Sequence, residues 1–233
     1  MPSGWMHDLR AFVYPPTCVL CEARGHDDLD LCAACTDELP RLGLACARCA
    51  FPFTSSDVSV CGVCQNKPPA FDAATALFYY QPPVNHLILQ LKFHGRLTHA
   101  RLLGQLLAKH LFASSGVPPE CIVPVPLHPR RIRERGFNQA LELARHVGQR
   151  LHVPVDLKCA RRIRHTEPQM ELPAKARHRN IRGAFEIATG FRARHVAILD
   201  DVVTTGATVD ELARSLRRAG AQRIEVWSIA RVD

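Results

Sequence analysis

The chain has 233 residues, 47% of them hydrophobic and 22% charged, with a formal net charge of +8. This length predicts one large domain, or one medium domain with a small appendage, and leaves room for a sizeable core. No apolar run reaches the about 18–20 residues of a membrane span, and no secretory signal pattern is visible, so we expect a cytosolic protein.

Charge is distributed unevenly along the chain. Residues 1–70 contain 5 basic and 8 acidic side chains, whereas residues 71–233 contain 25 basic and 14 acidic ones, a net charge of +11. Most of this excess lies in residues 130–194, which have 16 basic and 6 acidic side chains. Such a basic region favours an acidic partner, either nucleic acid or a phosphorylated small molecule; a solvated arginine-rich surface is the alternative.

Near the start of the chain, Trp5, Leu9, Phe12 and Val13 recur at helical spacing and predict a short helix with one apolar face. We expect this face to dock onto the protein's own surface. The alternative is a membrane-surface anchor, which would make the protein peripheral at the inner face of the membrane.

Eight of the ten cysteines form four C-x-x-C pairs in the first third of the chain. Two residues between cysteines allow both thiolates to bind one tetrahedral metal ion. The loop lengths predict two sequential four-cysteine sites with structural zinc, although joining the first pair to the third is also geometrically possible. Disulfides are disfavoured in the cytosol, and the isolated Cys121 and Cys159 are predicted to be buried thiols. The predicted zinc ligands are Cys18, Cys21, Cys32 and Cys35, followed by Cys46, Cys49, Cys61 and Cys64.

From residue 73 onward, apolar strand-like runs alternate with amphipathic helical patterns. This alternation predicts an α/β domain with a mostly parallel sheet covered by helices on both faces. The stretch 65–70 is the natural boundary, so residues 1–67 are predicted to form the cysteine-rich domain and residues 68–233 the α/β domain. Strands are predicted at 73–80, 121–127, 195–202 and 223–232, and helices at 83–95, 101–113, 138–151 and from about Thr208 onward.

The stretch VAILDDVVTTGATV, residues 196–209, combines a strand, two adjacent acids and a turn of small residues. Ligands of open α/β sheets bind at the carboxyl ends of strands, which is where Asp200 and Asp201 stand. Their carboxylates suit hydrogen bonds from sugar hydroxyls, and the turn and helix N-terminus that follow suit a phosphate. A sugar phosphate fits both halves; the structural alternative is an acidic strand end with a helix cap at Thr208 or Asp201.

Two further segments carry candidate anion-binding residues. PLHPRRIRERGFNQ, residues 126–139, predicts a strand and then an arginine-rich loop suited to clamp pyrophosphate, with a basic loop facing water as the alternative. RHTEPQ, residues 164–169, predicts a mobile loop that closes over a ligand. The arginines of the first loop are Arg130, Arg131, Arg133 and Arg135.

The motif at 196–208 resembles the ribose-phosphate signature of type I phosphoribosyltransferases, an apolar run followed by Asp-Asp-x-x-Thr-Thr-Gly-x-Thr. The four C-x-x-C pairs, then VPVPLHPRRIRERGFNQA (123–140), then RIRHTEPQMELPAKARHRNIRGAF (162–185), resemble the ComF family in that order. These are bacterial proteins with a double zinc ribbon and a phosphoribosyltransferase domain, and they are associated with DNA uptake in natural transformation. The resemblance covers essentially the whole chain.

The resemblance implies a type I phosphoribosyltransferase fold preceded by a double zinc ribbon. It implies that Asp200 and Asp201 hold the ribose hydroxyls of phosphoribosyl pyrophosphate (PRPP), with Mg²⁺ as a second cofactor. It also places the arginine-rich loop at the pyrophosphate position. The residues implied to cradle the 5′-phosphate are Thr204, Thr205, Gly206, Ala207 and Thr208, and further positions that match the family are Arg164, Thr166, Gln169, Arg177 and Asn180.

Two functions from different classes follow from this resemblance. One is a PRPP-binding protein of DNA uptake that contacts single-stranded DNA and other DNA-uptake proteins. The other is an active phosphoribosyltransferase of nucleotide salvage or amine phosphoribosylation, without a DNA role. The acceptor is not readable from the residues, and no side chain is identified as a catalytic base.

Overall fold

The structure is a computed structural model that describes residues 15–55, 57–114, 116–164 and 181–232. By its internal contacts the chain divides into two compact units, Met1–Pro40 and Arg41–Asp233. Several residues singled out above lie outside the described parts of the chain. They are Trp5, Leu9, Phe12 and Val13 of the predicted N-terminal helix, and Thr166, Gln169, Arg177 and Asn180.

The first unit is built around its cysteines. Short antiparallel bridges join Thr17 to Arg24 and His26 to Leu29, and helix α1 spans Ala33–Asp37. Among the described residues of this unit, 15–40, the buried apolar side chains are few, with Leu31 fully enclosed. A core of this size provides little stability by itself, so the unit depends on its cysteine cluster.

The second cysteine-rich segment belongs to the same unit as the sheet. It contains a bridge between Ala45 and Pro52 and helix α2, Gly62–Asn66. Its backbone is hydrogen-bonded to the first strand of the sheet, because Ala74 N–H donates to the Ala47 carbonyl at 3.3 Å. The contacts therefore divide the chain at Pro40, whereas the boundary predicted at residue 67 lies inside the larger unit.

A parallel sheet forms the centre of the larger unit. The strand order is β1-β6-β5-β2, and each neighbouring pair runs parallel, which confirms the predicted parallel sheet. The carboxyl ends of β5 and β6 lie side by side, with Val203 in register with Arg231. The strands are β1 (Ala73–Tyr79), β2 (Cys121–Pro124), β5 (His195–Val203) and β6 (Arg223–Arg231).

Helices pack on this sheet through the apolar faces that their sequences predict. On the last helix, Val209, Leu212, Ala213 and Leu216 are all buried, and Gly220 follows its end with a φ of +111°. Asn138 caps another helix by accepting a hydrogen bond from Ala140 N–H at 3.0 Å. The helices are α3 (Val84–His94), α4 (Leu97–Ala113), α5 (Pro129–Arg135), α6 (Gln139–Leu151) and α7 (Ala207–Arg218).

Two features complete the described fold. Strands β3 (Ala160–Arg162) and β4 (Phe185–Ile187) form a small antiparallel pair that the sequence patterns do not predict, since three residues are too few to show a period. Among the helices of the described segments, none combines the length and apolar character needed to cross a membrane.

Candidate functional site

The eight paired cysteines lie in two clusters, each formed by two consecutive pairs as predicted. Within each cluster the four sulfur atoms lie within 4.8 Å of one another. The Sγ atoms of Cys21 and Cys32 are 3.6 Å apart, and those of Cys49 and Cys61 are 3.7 Å apart. Tetrahedral zinc with Zn–S bonds of about 2.3 Å needs S···S separations of about 3.8 Å, so both clusters fit zinc.

Backbone N–H groups also point at the sulfur atoms. Cys35 N–H donates to Cys32 Sγ at 3.4 Å, and Cys61 N–H donates to Cys46 Sγ at 3.3 Å. Such donors stabilise thiolates, which are the form that binds metal. All ten cysteines are free, and the buried Cys121 and Cys159 belong to neither cluster, as predicted.

The adjacent acids lie at the carboxyl end of β5. The Asp201 side chain is only 4% exposed, and Asp200 is partly buried beside it. Asp200 Oδ1 accepts a hydrogen bond from Asp201 N–H at 2.9 Å, which fixes the first carboxylate against the backbone of the second. Burial raises the pKa of Asp200 well above its ordinary value, and the negative charge of Asp201 adds to this effect.

The turn after the acids leads directly into α7. Gly206 has a φ of +76°, a left-handed conformation that side chains disfavour, and it stands at the N-cap of the helix. Thr205 Oγ1 accepts a hydrogen bond from Ala207 N–H at 3.4 Å. Within the described parts of the chain, no hydrogen bond is seen from the backbone N–H of Thr204, Thr205 or Gly206. These amides, together with the helix N-terminus, form a concentration of donors suited to an anion.

Lys92 is a site residue that the sequence analysis missed. Its Nζ forms an ion pair with Asp201, and its side chain is only 16% exposed. Burial favours the neutral amine, but the charges of Asp201 and Asp200 outweigh it and raise the pKa of Lys92, so the side chain stays cationic. A signal was present, because Lys92 follows the buried Ile88 by four residues and thus lies on the inner face of α3.

The arginine-rich segment is a helix, so its interpretation as a loop is wrong. Pro129 occupies the first turn of α5, and the His128 side chain accepts a hydrogen bond from Arg130 N–H at 3.3 Å. Gly136, with a φ of +84°, ends the helix in a left-handed conformation. Pro129 and Gly136 therefore account for the start and the end of this short helix. The sequence analysis gave more weight to the four arginines and predicted a loop.

The helix divides the four arginines between two environments. Arg131 and Arg135 are partly buried and line a pocket of about 210 Å³ together with Lys92 and Phe137. Arg130 and Arg133 are exposed to solvent. Of these four arginines, the first pair lines the pocket that also contains Lys92, the ion-pair partner of Asp201.

Arg135 is held in place by three neighbours. Its Nη1 donates to Gln139 Oε1 at 2.6 Å, and its guanidinium lies 5.6 Å from the centre of the Phe93 ring. Burial lowers the pKa of Arg135, and the negative charge of Asp201 opposes this change. Gln139, Phe93 and the charge of Asp201 therefore all act on Arg135.

Arg162, at the end of β3, is the second residue that the sequence analysis missed. Its guanidinium lies 5.8 Å from the centre of the Phe185 ring. Burial lowers the pKa of Arg162, whereas the charge of Asp200 raises it and that of Arg131 lowers it further. Arg164, two residues further on, is exposed and donates a hydrogen bond to the Arg182 carbonyl. A three-residue strand gives no sequence signal that would distinguish these two arginines.

The site therefore joins residues from four separate segments of the larger unit. Two carboxylates at the end of β5 are surrounded by a lysine from α3 and arginines from α5 and β3. Four cations face three carboxylates, because Glu134 also lines the pocket, and one of the three, Asp200, is biased towards its neutral form. The arrangement has a surplus of positive charge that an anionic ligand would neutralise.

Comparison with known proteins gives a consistent assignment. The family model of the double zinc ribbon domain matches residues 9–65 of this chain. DNA utilization protein YhgH of Escherichia coli (strain K12) is 38% identical over 224 residues, which are 93% of this chain and 97% of the relative. Competence protein F of Haemophilus influenzae is 32% identical over 222 residues, 92% of this chain and 96% of the relative. Competence protein ComFC of Streptococcus pneumoniae is 25% identical over 213 residues, 88% of this chain and 90% of the relative.

Two solved structures of other proteins are also similar to part of the chain. Glutamine phosphoribosylpyrophosphate amidotransferase from B. subtilis is 19% identical, with a TM-score of 0.39 over 60% of this chain and 30% of that chain. Purine phosphoribosyltransferase from Pyrococcus horikoshii Ot3 is 14% identical, with a TM-score of 0.32 over 60% of this chain and 84% of that chain. The identity and coverage of the sequence relatives are decisive, and the chain belongs to the ComF family of competence and DNA utilization proteins.

Proposed function

We propose that this protein binds PRPP at the carboxyl end of β5 and acts in the handling of DNA during uptake. The observation that carries the proposal is the surplus of positive charge around two carboxylates, next to a turn of free backbone amides. A ligand for this site needs hydroxyl groups for the acids and several phosphate oxygens for the cations. A phosphorylated sugar with a pyrophosphate group meets both needs.

Each part of the ligand has a matching part of the site. The carboxylates of Asp200 and Asp201 would accept hydrogen bonds from the 2′ and 3′ hydroxyls of ribose. The amides and hydroxyls of residues 204–208 would hold the 5′-phosphate at the start of α7. Arg131 and Arg135, with Lys92 beside them, would bind the pyrophosphate.

Mg²⁺ fits the same group of donors. Magnesium prefers oxygen ligands, and it is commonly bound by one or two carboxylates together with substrate phosphates. Asp200 and Asp201 offer such carboxylates, and a bound cation would favour the ionised form of Asp200. When bound, the ion would offset the negative charge of the pyrophosphate.

The role in DNA handling rests on the family. Proteins named for competence and DNA utilization match this chain over nine-tenths of its length. The exposed Arg130 and Arg133 add cations on the outer side of α5, where a phosphate backbone is a suitable partner. We propose that single-stranded DNA contacts this outer surface and that other DNA-uptake proteins are partners in the same process.

A second candidate is an active phosphoribosyltransferase, favoured by the cationic pocket beside the acids. A nitrogen nucleophile would form a bond to ribose C1 as the bond from C1 to the pyrophosphate oxygen breaks, and pyrophosphate would leave with the electron pair. Arg131 and Arg135 would stabilise the charge that develops on the leaving group. A panel of nucleobases and amines with PRPP and Mg²⁺, scored for pyrophosphate release, distinguishes this enzyme from a binding protein.

Isothermal titration with PRPP and Mg²⁺ tests the binding proposal. We expect saturable binding to the wild-type protein and a loss of at least about tenfold in affinity for Asp200→Asn, because the amide cannot replace both acceptor oxygens. Glu186→Gln is the matched control, since Glu186 is an exposed acid whose ion pair among the described residues is with Arg161 at the surface. Undiminished affinity of Asp200→Asn would reject the ribose assignment, and no binding to the wild-type protein would reject the proposal.

A further inference from the structure

Arg231, at the end of β6, connects the second cysteine cluster to the turn that follows the acids. The residue is 6% exposed. Its Nε donates to the Cys49 carbonyl at 3.2 Å, and its Nη1 donates to the Val203 carbonyl at 3.1 Å and to the Thr204 carbonyl. One guanidinium therefore reaches both a cluster cysteine and the first residues of the proposed phosphate-binding turn.

The contacts with Val203 and Thr204 set the direction of the amides in that turn. A peptide group is planar and trans, so its N–H points opposite to its C=O. Arg231 holds the Thr204 carbonyl and shares the Val203 carbonyl with Val232 N–H, which donates to it at 3.0 Å, so these contacts together turn the N–H groups of Thr204 and Thr205 away from Arg231. These are two of the amides that donate no hydrogen bond within the described residues.

The other end of Arg231 is fixed by the cysteine-rich segment. The guanidinium lies 5.7 Å from the centre of the Phe51 ring, and the turn that contains Phe51 is closed by hydrogen bonds from Cys46 N–H and Ala50 N–H. Zinc bound by four thiolates has a net charge of −2, so a loaded cluster attracts the buried guanidinium.

We propose that Arg231 is a positioning residue for the phosphate-binding turn and that the second cysteine cluster, when it holds its metal, keeps Arg231 in place. The proposal rests on the proposed function, since it assigns the turn to the phosphate of the ligand. Metal binding at the second cluster and sugar-phosphate binding at the turn are then coupled. By linkage, each ligand strengthens the binding of the other by the same factor.

The first test compares Arg231→Met and Arg231→Lys with Arg223→Met. Arg223 lies on the same strand but is exposed and pairs with Glu225, so it is the matched control. We expect Arg231→Met to weaken PRPP binding about tenfold and to speed amide exchange at residues 203–208, because the Thr204 carbonyl loses its side-chain donor and the Val203 carbonyl keeps only Val232 N–H. Lysine retains the positive charge but lacks the planar set of N–H donors of a guanidinium. Arg231→Lys should therefore keep its zinc and lose part of its affinity for PRPP.

Chemical rescue separates positioning from a general structural role. Methylguanidinium at millimolar concentration should restore PRPP affinity and slow exchange of the turn in Arg231→Ala, and it should have no effect on Arg223→Ala. Faster exchange throughout the sheet without rescue would mean that Arg231 only stabilises the fold, which overturns the proposal. Unchanged exchange at residues 203–208 in a folded Arg231→Lys or Arg231→Met protein would overturn it as well.

The second test removes one metal at a time. Cys61→Ser in the second cluster should speed exchange at residues 203–208 and weaken PRPP binding, whereas Cys21→Ser in the first cluster should lose one zinc without either effect. Equal effects of the two variants would overturn the coupling. If the wild-type protein does not bind PRPP, the proposed function fails, but exchange in the ligand-free protein still decides whether Arg231 and the second cluster order the turn.

Discussion

In the two cysteine clusters, every ligand comes from a short stretch of sequence, whereas the site on the sheet collects its charged groups from four distant segments. Residues 15–40, the described part of the unit that contains the first cluster, have little apolar core, whereas the sheet has a large core of its own. Loss of ligand should therefore have different consequences in the two regions. We expect metal to maintain structure in the first region and charges to maintain the proposed binding site in the second.

Removal of zinc should produce the largest effect. We expect about two zinc ions per chain, and chelation should unfold residues 15–40 while the sheet, apart from residues 203–208, keeps its amide protection, because structural zinc supplies folding energy outright. Elemental analysis and hydrogen exchange before and after chelation measure both effects. Cys121→Ser and Cys159→Ser are controls that should keep both ions, and a reproducible metal content near zero with an intact fold would reject the zinc ribbons.

Neutralising the arginines that face the pocket should produce the next largest effect. Arg131→Met with Arg135→Met should weaken PRPP binding about a hundredfold, since two charged, forked donors to phosphate are lost. Arg130→Met with Arg133→Met removes the same charge from the exposed side of α5 and should change PRPP affinity less than about twofold. Equal losses in both double variants, measured by titration calorimetry, would show that PRPP senses only the overall charge.

These contrasts also explain how far the sequence could be interpreted. The cysteine spacing predicted both clusters, because all the ligands of one cluster lie within 18 consecutive residues, Cys18 to Cys35, or 19, Cys46 to Cys64. The apolar strands and helical periods predicted the parallel sheet, and the acids were correctly expected at the end of β5.

The remaining features depend on tertiary contacts. Lys92 joins Asp201 across the fold, and no local pattern pairs residues so far apart. The arginine-rich helix is marked in the sequence by Pro129 in its first turn and by Gly136 directly after its end. The polar composition of the segment led instead to the prediction of a loop. The sequence analysis also did not single out Arg231, because this residue reaches the turn through the pairing of β5 with β6.

At the acid pair, we expect one substitution to stabilise the fold and to weaken ligand binding, whereas in the cysteine clusters loss of a ligand residue should weaken both. Asp200→Asn should raise the Tm at pH 7 by about 2–4 °C, roughly 1 kcal/mol for a chain of this size, because it removes a partly buried carboxyl next to Asp201. The raised pKa of Asp200 stabilises the folded protein fully below the unfolded pKa of about 3.9, and this contribution is lost as pH rises through the folded value.

The advantage of Asp200→Asn should therefore grow from about pH 4 upward and level off above the folded pKa of Asp200. Thermal unfolding of both proteins between pH 4 and pH 8 measures it. Glu186→Gln, at an exposed ion pair, should show no comparable gain. A lower Tm for Asp200→Asn across the whole range would mean that the carboxylate stabilises the fold.

The smallest expected effect concerns the exposed arginines of α5 and single-stranded DNA. Cations that contact a phosphate backbone release counterions, so the affinity falls with salt by about 0.7 logarithmic units per contact on single strands. Arg130→Gln with Arg133→Gln should therefore flatten the slope of log affinity against log salt by about 1.4 and leave PRPP binding unchanged. Point charges of this kind do not read base edges, so the sequence of the oligonucleotide should matter little.

Anisotropy titrations of a labelled oligonucleotide at several salt concentrations, with and without PRPP, measure the slope and any competition. If the pocket variant Arg131→Gln with Arg135→Gln flattens the slope instead, DNA enters the PRPP site and PRPP should displace it, whereas no binding at low salt would remove DNA from the proposed function of the isolated chain.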